Sequence, residues 1–298
     1  MTARSLIARC PAKLNLSLRV LGRRADGYHE LDTVFQAIDM WDRVHGTLAP
    51  ALELVCDHPD VPSGPDNLAW RAADLLRRRL GRPDLGASLR IDKAIPVQGG
   101  LGGGSSDAAG ALLLCSRLWR ADPSGAELRD IAVELGADVP FFLVGGTARG
   151  TGRGDRVDPL PFAGSTHFLL GTPPFGIPTA EVFAAVCGRL TLPGNGVNLR
   201  RASAHKSLRE NDLSVSVNDL EQVVFDGWPE LVRFRDALVG VGARRPLLSG
   251  SGSTVYGVFD NQESVERAME RLQADFREWR LFPACGVTAG AHVVEEVA

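Results

Sequence analysis

The sequence predicts an α+β protein organised as two domains. Three observations carry this. At 298 residues the chain can bury two cores of ordinary size. Apolar residues recur with helical spacing in some segments and with period two in others. Both kinds of segment occur in each half, without a regular βαβα repeat. A composition of 44% hydrophobic and 23% charged residues is that of a globular chain.

The elements follow in order. Leu14, Leu16, Leu18 and Val20 alternate with Asn15, Ser17 and Arg19, which predicts a half-buried strand ending at the Asp26-Gly27 turn. Asn67 to Leu80 is a helix with Leu68, Ala72, Leu75, Leu76 and Leu80 inward and arginines outward. Leu89 to Ile91 is a short strand before IPVQGGLGGGSSDAAG. Ser105 or Ser106 is expected to cap a helix reaching about Arg120, with Ala109, Leu112, Leu113 and Leu118 buried. Glu127 to Leu135 is a helix stopped by Gly136, and Pro140 marks another helix start just after Asp138. Glycines recurring from Gly145 to Gly154 suggest a change of domain, giving residues 1–157 and 158–298. The second part has a strand at Thr166 to Gly171, a helix around Ala180 to Leu190, and an irregular surface segment over 191–216. Asn218 with Glu221 three residues later reads as a capping box. Leu247 to Phe259 is strand, glycine turn, strand. Ser264 to Trp279 is an amphipathic helix, and Val287 to Val294 a closing strand.

Several function classes are disfavoured. A net charge of -3 argues against a nucleic-acid surface, and Arg77, Arg78 and Arg79 read as a solvated helix face. Five scattered cysteines without a C-x-x-C pair suit free thiols in a reducing cytoplasm. The histidines lack H-E-x-x-H spacing. No stretch approaches the roughly 18 apolar residues of a membrane span, and MTARSLIARCPAK has no signal-peptide core. A cytoplasmic protein without nucleic-acid or membrane partners is expected.

Five of the six residues from Gly99 to Gly104 are glycine. Without Cβ atoms, backbone can approach a phosphate closely. A helix beginning behind the loop adds free N–H groups and the positive end of its dipole. The run Pro96, Val97, Gln98, Gly99, Gly100, Leu101, Gly102, Gly103, Gly104, Ser105 and Ser106 is therefore a candidate polyphosphate nest. The lysine of G-x-x-x-x-G-K-[ST] is absent, so further positive charge must come from elsewhere. Neither a dinucleotide-fold fingerprint nor H-R-D and D-F-G kinase motifs are present.

PAKLNLSL, PVQGGLGGGSSDAAG and LLSGSGSTVYGVF together resemble the three motifs of the GHMP kinases, small-molecule kinases of galactose, homoserine, mevalonate and phosphomevalonate. PAKLNLSLRVLGRRADGYHELDTVFQ, IDKAIPVQGGLGGGSSDAA and LGADVPFFLVGGTARGTGRGD narrow the resemblance to the 4-diphosphocytidyl-2-C-methyl-D-erythritol kinase family. The resemblance implies a ribosomal-protein-S5-like N-terminal domain that binds ATP, a ferredoxin-like C-terminal domain, and a site in the cleft between them. It implies ATP-dependent phosphorylation, with Mg2+, of the 2-hydroxyl of the methylerythritol moiety in the non-mevalonate isoprenoid pathway.

Residue by residue, it implies Asp138 as base and Lys13 as its charge partner. Asn15, on the same strand face as Lys13 by period two, would hold the substrate near the base. Tyr28 and His29 would hold the cytosine, with Phe183 on its other face and Thr179 near the nucleotide end. Asn67 and Lys93 fall where the family has its adenine pocket. Gly250 and Gly252 allow close backbone approach. Magnesium ligands are not assigned; Asp107 either turns away from phosphate or helps hold the ion. Ser253 stands where many relatives carry alanine or proline. The alternative is another GHMP kinase, such as homoserine or mevalonate kinase, which has no reason to keep Tyr28-His29 with Phe183. The expected partners are small molecules, with a monomer or weak homodimer.

Overall fold

A computed structural model describes residues 5–161, 166–190 and 217–295. In the first part the strands are β1 (Ser5–Arg23), β2 (His29–Leu48), β3 (Leu52–Cys56), β4 (Ala87–Asp92), β5 (Thr147–Gly152) and β6 (Arg156–Leu160). The helices there are α1 (Leu68–Arg79), α2 (Gly103–Leu118), α3 (Gly125–Leu135) and α4 (Val139–Val144). Then come β7 (His167–Thr172), α5 (Thr179–Leu190), α6 (Glu221–Gly227), α7 (Pro229–Gly240), β8 (Arg244–Leu248), β9 (Val255–Phe259), α8 (Gln262–Gln273), β10 (Arg280–Cys285) and β11 (His292–Glu295).

The α+β expectation holds. One sheet runs β11-β1-β2-β4-β3, with β5 also pairing β2 and β6 beyond it. The other runs β10-β7-β9-β8 and is antiparallel throughout. Helices α1 to α4 cover the first sheet through a core that includes Leu76, Leu89, Leu112 and Phe141. Helices α5 to α8 accompany the second, around Leu169, Phe234, Leu248 and Val265. A third cluster joins the sheets: Ala12, Leu14 and Ile38 meet Phe168, Leu170 and Tyr256. The Tyr256 hydroxyl donates to the Asn15 carbonyl at 2.9 Å, satisfying a polar atom that burial would otherwise orphan.

β1 differs from the half-buried strand expected. Residues 11–18 are buried on both faces: Ala12, Leu14 and Leu16 pack against the second sheet, while Lys13, Asn15 and Ser17 lie on the opposite face. Bulges between Pro11 and Ala12, between Asn15 and Ser17, and between Val20 and Gly22 bend the strand as it passes through.

Other expectations are corrected. α2 begins at Gly103, earlier than a serine cap would start it; Gly102, at φ +72°, holds the N-cap position and no side chain caps the helix. Gly150 and Gly152 lie within β5, so the recurring glycines belong to a strand and turn of the first sheet. The division after residue 157 falls within β6, and β11 returns to pair with β1.

Asn218 and Glu221 do not form a capping box. The buried Asn218 amide donates to the carbonyls of Leu248 and Gly250 at 2.9 and 2.7 Å, while Glu221 accepts from the Leu248 N–H at 2.8 Å. Ser124 with Glu127 does form a capping box, at the start of α3. α8 stops at Gln273, and the chain turns so that Trp279 stacks on Phe234 at 4.5 Å. The last strand is confined to His292–Glu295. The surface segment expected over 191–216 lies outside the described residues. No described helix is long and apolar enough to cross a membrane.

Candidate active site

A cleft of about 990 Å³ opens where β1, the glycine loop, the start of α5 and the β8–β9 loop meet. The glycines do more than admit a phosphate. Gly100, at φ +74°, lies so close to the β8–β9 loop that a Cβ would overlap the Ser249 carbonyl. The Ser249 hydroxyl donates to the Gly100 carbonyl at 3.0 Å, and the Thr254 N–H to that of Gly99 at 3.2 Å. A Cβ on Gly102 would lie 2.7 Å from the Phe142 ring and 3.1 Å from Lys13 Cγ. Gly104 is the exception: it is exposed, and a Cβ there would meet nothing within 4 Å. Most of these glycines let protein segments pack; Gly104 faces open cleft.

The Lys13 N–H donates to the Leu101 carbonyl at 3.0 Å, which ties β1 to the loop. The Lys13 ammonium donates to Asn15 Oδ1 at 2.6 Å, and Asn15 Nδ2 donates to Thr33 Oγ1 at 2.7 Å. Thr33 Oγ1 in turn donates to the Ser17 carbonyl at 2.7 Å. Asp138 Oδ2 lies 3.8 Å from Lys13 Nζ. The Lys13 side chain is 5% exposed and that of Asp138 is 35% exposed. Burial pushes the Lys13 ammonium below its ordinary pKa, and Asp138 opposes that shift. Asp138 occupies the N-cap position of α4 yet makes no capping bond, so its carboxylate is not spent on the helix.

Tyr28, His29 and Phe183 line the same cleft. The His29 and Phe183 rings approach to 5.0 Å, tilted by 32°. Burial, with Arg23 nearby, holds the His29 imidazole below its ordinary pKa, so it is neutral near pH 7. Thr179 lines the cleft and shares a hydroxyl hydrogen bond of 2.8 Å with Ser251.

Asn67 and Lys93 also reach the cleft, with most of their polar capacity committed. Asn67 caps α1 by accepting from the Ala69 N–H at 2.9 Å and donates to the Pro62 carbonyl at 2.8 Å. The Lys93 ammonium is buried between Asp42 and Asp107, 2.8 Å from Asp107 Oδ2. Burial opposes its charge, but the two carboxylates hold it well above the usual lysine range. Burial pushes the Asp107 carboxyl up to about 7 against the pull of Lys93. Asp107 therefore turns to Lys93 with one oxygen. The other has no partner among the described residues.

Of the expected glycine-loop residues, Pro96 to Ser105 line the cleft and Ser106 does not. Ser106 is fully buried in the first turns of α2. Gly250 lines the cleft, whereas Gly252 packs toward Leu248 and Ile177. Ser253 is buried and donates to the Phe175 carbonyl at 2.8 Å, a structural contact. Sequence reasoning missed Thr33, Arg153 and Ser249. Thr33 and Ser249 bond to segments that only the fold brings near, and Arg153 is held by Asp155 two residues on, in a turn that carries no motif.

Comparison with known proteins gives the family. The GHMP kinases N terminal domain matches residues 67–146, and the GHMP kinases C terminal domain matches residues 198–278. A 4-diphosphocytidyl-2-C-methyl-D-erythritol kinase of Pelotomaculum thermopropionicum is 40% identical over 271 residues, covering 88% of this chain and 92% of the relative. One of Streptomyces avermitilis is 40% identical over 282 residues, covering 91% and 93%. A crystal structure of 4-(cytidine 5'-diphospho)-2C-methyl-D-erythritol kinase superposes with a TM-score of 0.73 at 35% identity, covering 94% of this chain and 98% of that one. Mevalonate kinase of Methanococcus jannaschii shares the fold, with a TM-score of 0.71, 16% identity, and 94% and 98% covered. The chain belongs to the 4-diphosphocytidyl-2-C-methyl-D-erythritol kinase family of the GHMP kinases.

Proposed function

We propose that this chain transfers the γ-phosphoryl group of ATP to the 2-hydroxyl of 4-diphosphocytidyl-2-C-methyl-D-erythritol, a step of the non-mevalonate isoprenoid pathway. One observation carries the reading. The Lys13–Asp138 pair shares a cleft with the glycine loop on one side and Tyr28, His29 and Phe183 on the other.

Phosphoryl transfer asks the protein for alignment, charge neutralisation and a proton acceptor. Asp138 takes the proton of the 2-hydroxyl as that oxygen bonds to the γ-phosphorus and ADP leaves. Lys13, fixed by Asn15, faces the negative charge that develops on the attacking oxygen and the transferring group. Lys13 thus supplies charge that the glycine loop lacks. The backbone N–H groups at the start of α2 cradle the phosphates. Ser105, on the same cleft wall, would be the residue to hold a Mg2+ ion that accompanies ATP, and such an ion would offset charge on the phosphates. Asn67 and Lys93 shape the adenine end.

The cytosine lies against Tyr28 and Phe183. His29, held neutral by burial, lies beside Phe183 at that end of the cleft and sets no positive charge against the ring.

The test is ADP release with a panel of alcohols. The cytidyl substrate should be turned over and homoserine and mevalonate should not. Turnover of either of those with none of the cytidyl substrate would overturn the reading.

A further inference from the structure

We propose that Arg153 binds the diphosphate of the cytidyl substrate while bracing the Tyr28 ring. The inference rests on the function proposed above and adds a residue to its substrate site.

Arg153 lies in the tight turn between β5 and β6 and lines the cleft. Its side chain is anchored on one side only. Nε and Nη2 donate to Asp155 Oδ2 at 3.1 and 3.0 Å, and Nη2 also reaches the Val133 carbonyl at 3.4 Å. The Arg153 N–H donates to Asp155 Oδ1 at 3.1 Å, so one carboxylate fixes both backbone and guanidinium. Asp155 is itself 14% exposed. A guanidinium has five N–H donors. The two on Nη1 have no partner among the described residues.

The guanidinium carbon lies 5.1 Å from the centroid of the Tyr28 ring, a cation–π distance. Tyr28 is 58% exposed, so a pinned cation beside the ring limits its motion and leaves ring surface for a pyrimidine. The diphosphate follows directly on the cytidine in this substrate. It needs donors that are fixed, cationic and close to the cytosine wall. Lys93 is enclosed by two carboxylates and Lys13 stands at Asp138. Arg153 has its anchor and its spare donors at the cytosine end. Charge-assisted bonds from guanidinium to phosphate oxygens are among the stronger polar contacts.

The experiment compares wild type with Arg153→Gln and Arg153→Lys. KM for the cytidyl substrate, KM for ATP and kcat are measured, with calorimetric binding of cytidine and cytidine diphosphate. For Arg153→Gln we expect KM for the cytidyl substrate to rise about tenfold, with KM for ATP within about twofold. Cytidine diphosphate should lose about tenfold in affinity and cytidine only about threefold. Arg153→Lys should recover part of the diphosphate loss, since it keeps the charge and the partner Asp155. Equal losses for the two ligands, or unchanged affinity for both, would overturn the diphosphate role. A raised KM for ATP alone would assign Arg153 to the other nucleotide and overturn it too. Should Arg153→Gln not fold, Arg153→Lys decides: an unchanged ratio of cytidine diphosphate to cytidine affinity refutes the inference. Wild type that turns over the cytidyl substrate while the variants match it overturns this inference alone. Wild type without turnover overturns the function instead.

Discussion

Gly104→Ala separates the loop's role in folding from its role in binding. Gly104 is the second residue of α2, is exposed, and has no protein atom within 4 Å of an added Cβ. Alanine in a helix is favoured over glycine by up to about 1 kcal/mol, and less in a first turn. The variant should therefore be more stable by about 0.5 kcal/mol, raising Tm by about 1–2 °C in a chain of this size. The same Cβ would stand in the space where the phosphates are to sit. KM for ATP should rise by about tenfold or more, since close backbone approach is blocked. Stability and ATP binding should thus move in opposite directions. Thermal unfolding without nucleotide and initial rates against ATP concentration test the pair. A stability gain with unchanged KM for ATP would refute the placement of phosphates on this face. Gly100→Ala is the contrast. Its Cβ would overlap the Ser249 carbonyl at a left-handed φ, so Tm and activity should fall together.

Further predictions concern the cleft. Asp138→Asn should lower kcat by about 10²–10⁴ with little change in Tm, because Asp138 caps no helix; near-normal kcat in a folded variant removes it as the base. Because burial lowers the Lys13 pKa, its ammonium is present below that pKa and lost as pH rises through it. The alkaline limb of kcat should therefore lie below the ordinary lysine range, and a pH–rate profile that stays flat through that range would contradict the role. Phe183→Ala removes the ring beside His29 and should raise KM for the cytidyl substrate about tenfold while KM for ATP stays put. Steady-state kinetics with each substrate varied decide it, and an unchanged cytidyl KM would sink the aromatic slot.

The local chemistry of the site was legible because it sits in short motifs. Lys13 and Asn15 share a strand face by period two, and their ammonium–amide bond of 2.6 Å follows from that spacing. The glycine loop declared itself by composition. What was not legible depends on distant packing. β2 mixes Asp32, Gln36, Asp39 and Asp42 with apolar residues, and its period is hidden because neighbours cover both faces of part of it. The helix-starting serines gave way to Gly102, since a left-handed glycine can turn directly into α2. Asn218 looked like a cap, but the carbonyls that hold it belong to Leu248 and Gly250, and only the folded chain brings them near. Asp107 looked like a liability beside phosphate. Its partner Lys93 lies on another segment and turns it into part of a buried charge cluster.

The pairing of β11 with β1 has a consequence for how the chain is made. Of the described strands β1 leaves the ribosome first, yet the strand that covers its edge, in register from Leu6–Glu295 to Arg9–His292, is the last of them to emerge. Through most of synthesis that edge keeps open N–H and C=O groups, which can recruit strands from another nascent chain. The first sheet closes only after the second has been translated, so the early-made half waits on the late-made one. A ribosome stalled before β8 would therefore hold a sheet with a raw edge and a glycine loop still without its bonds from Ser249 and Thr254.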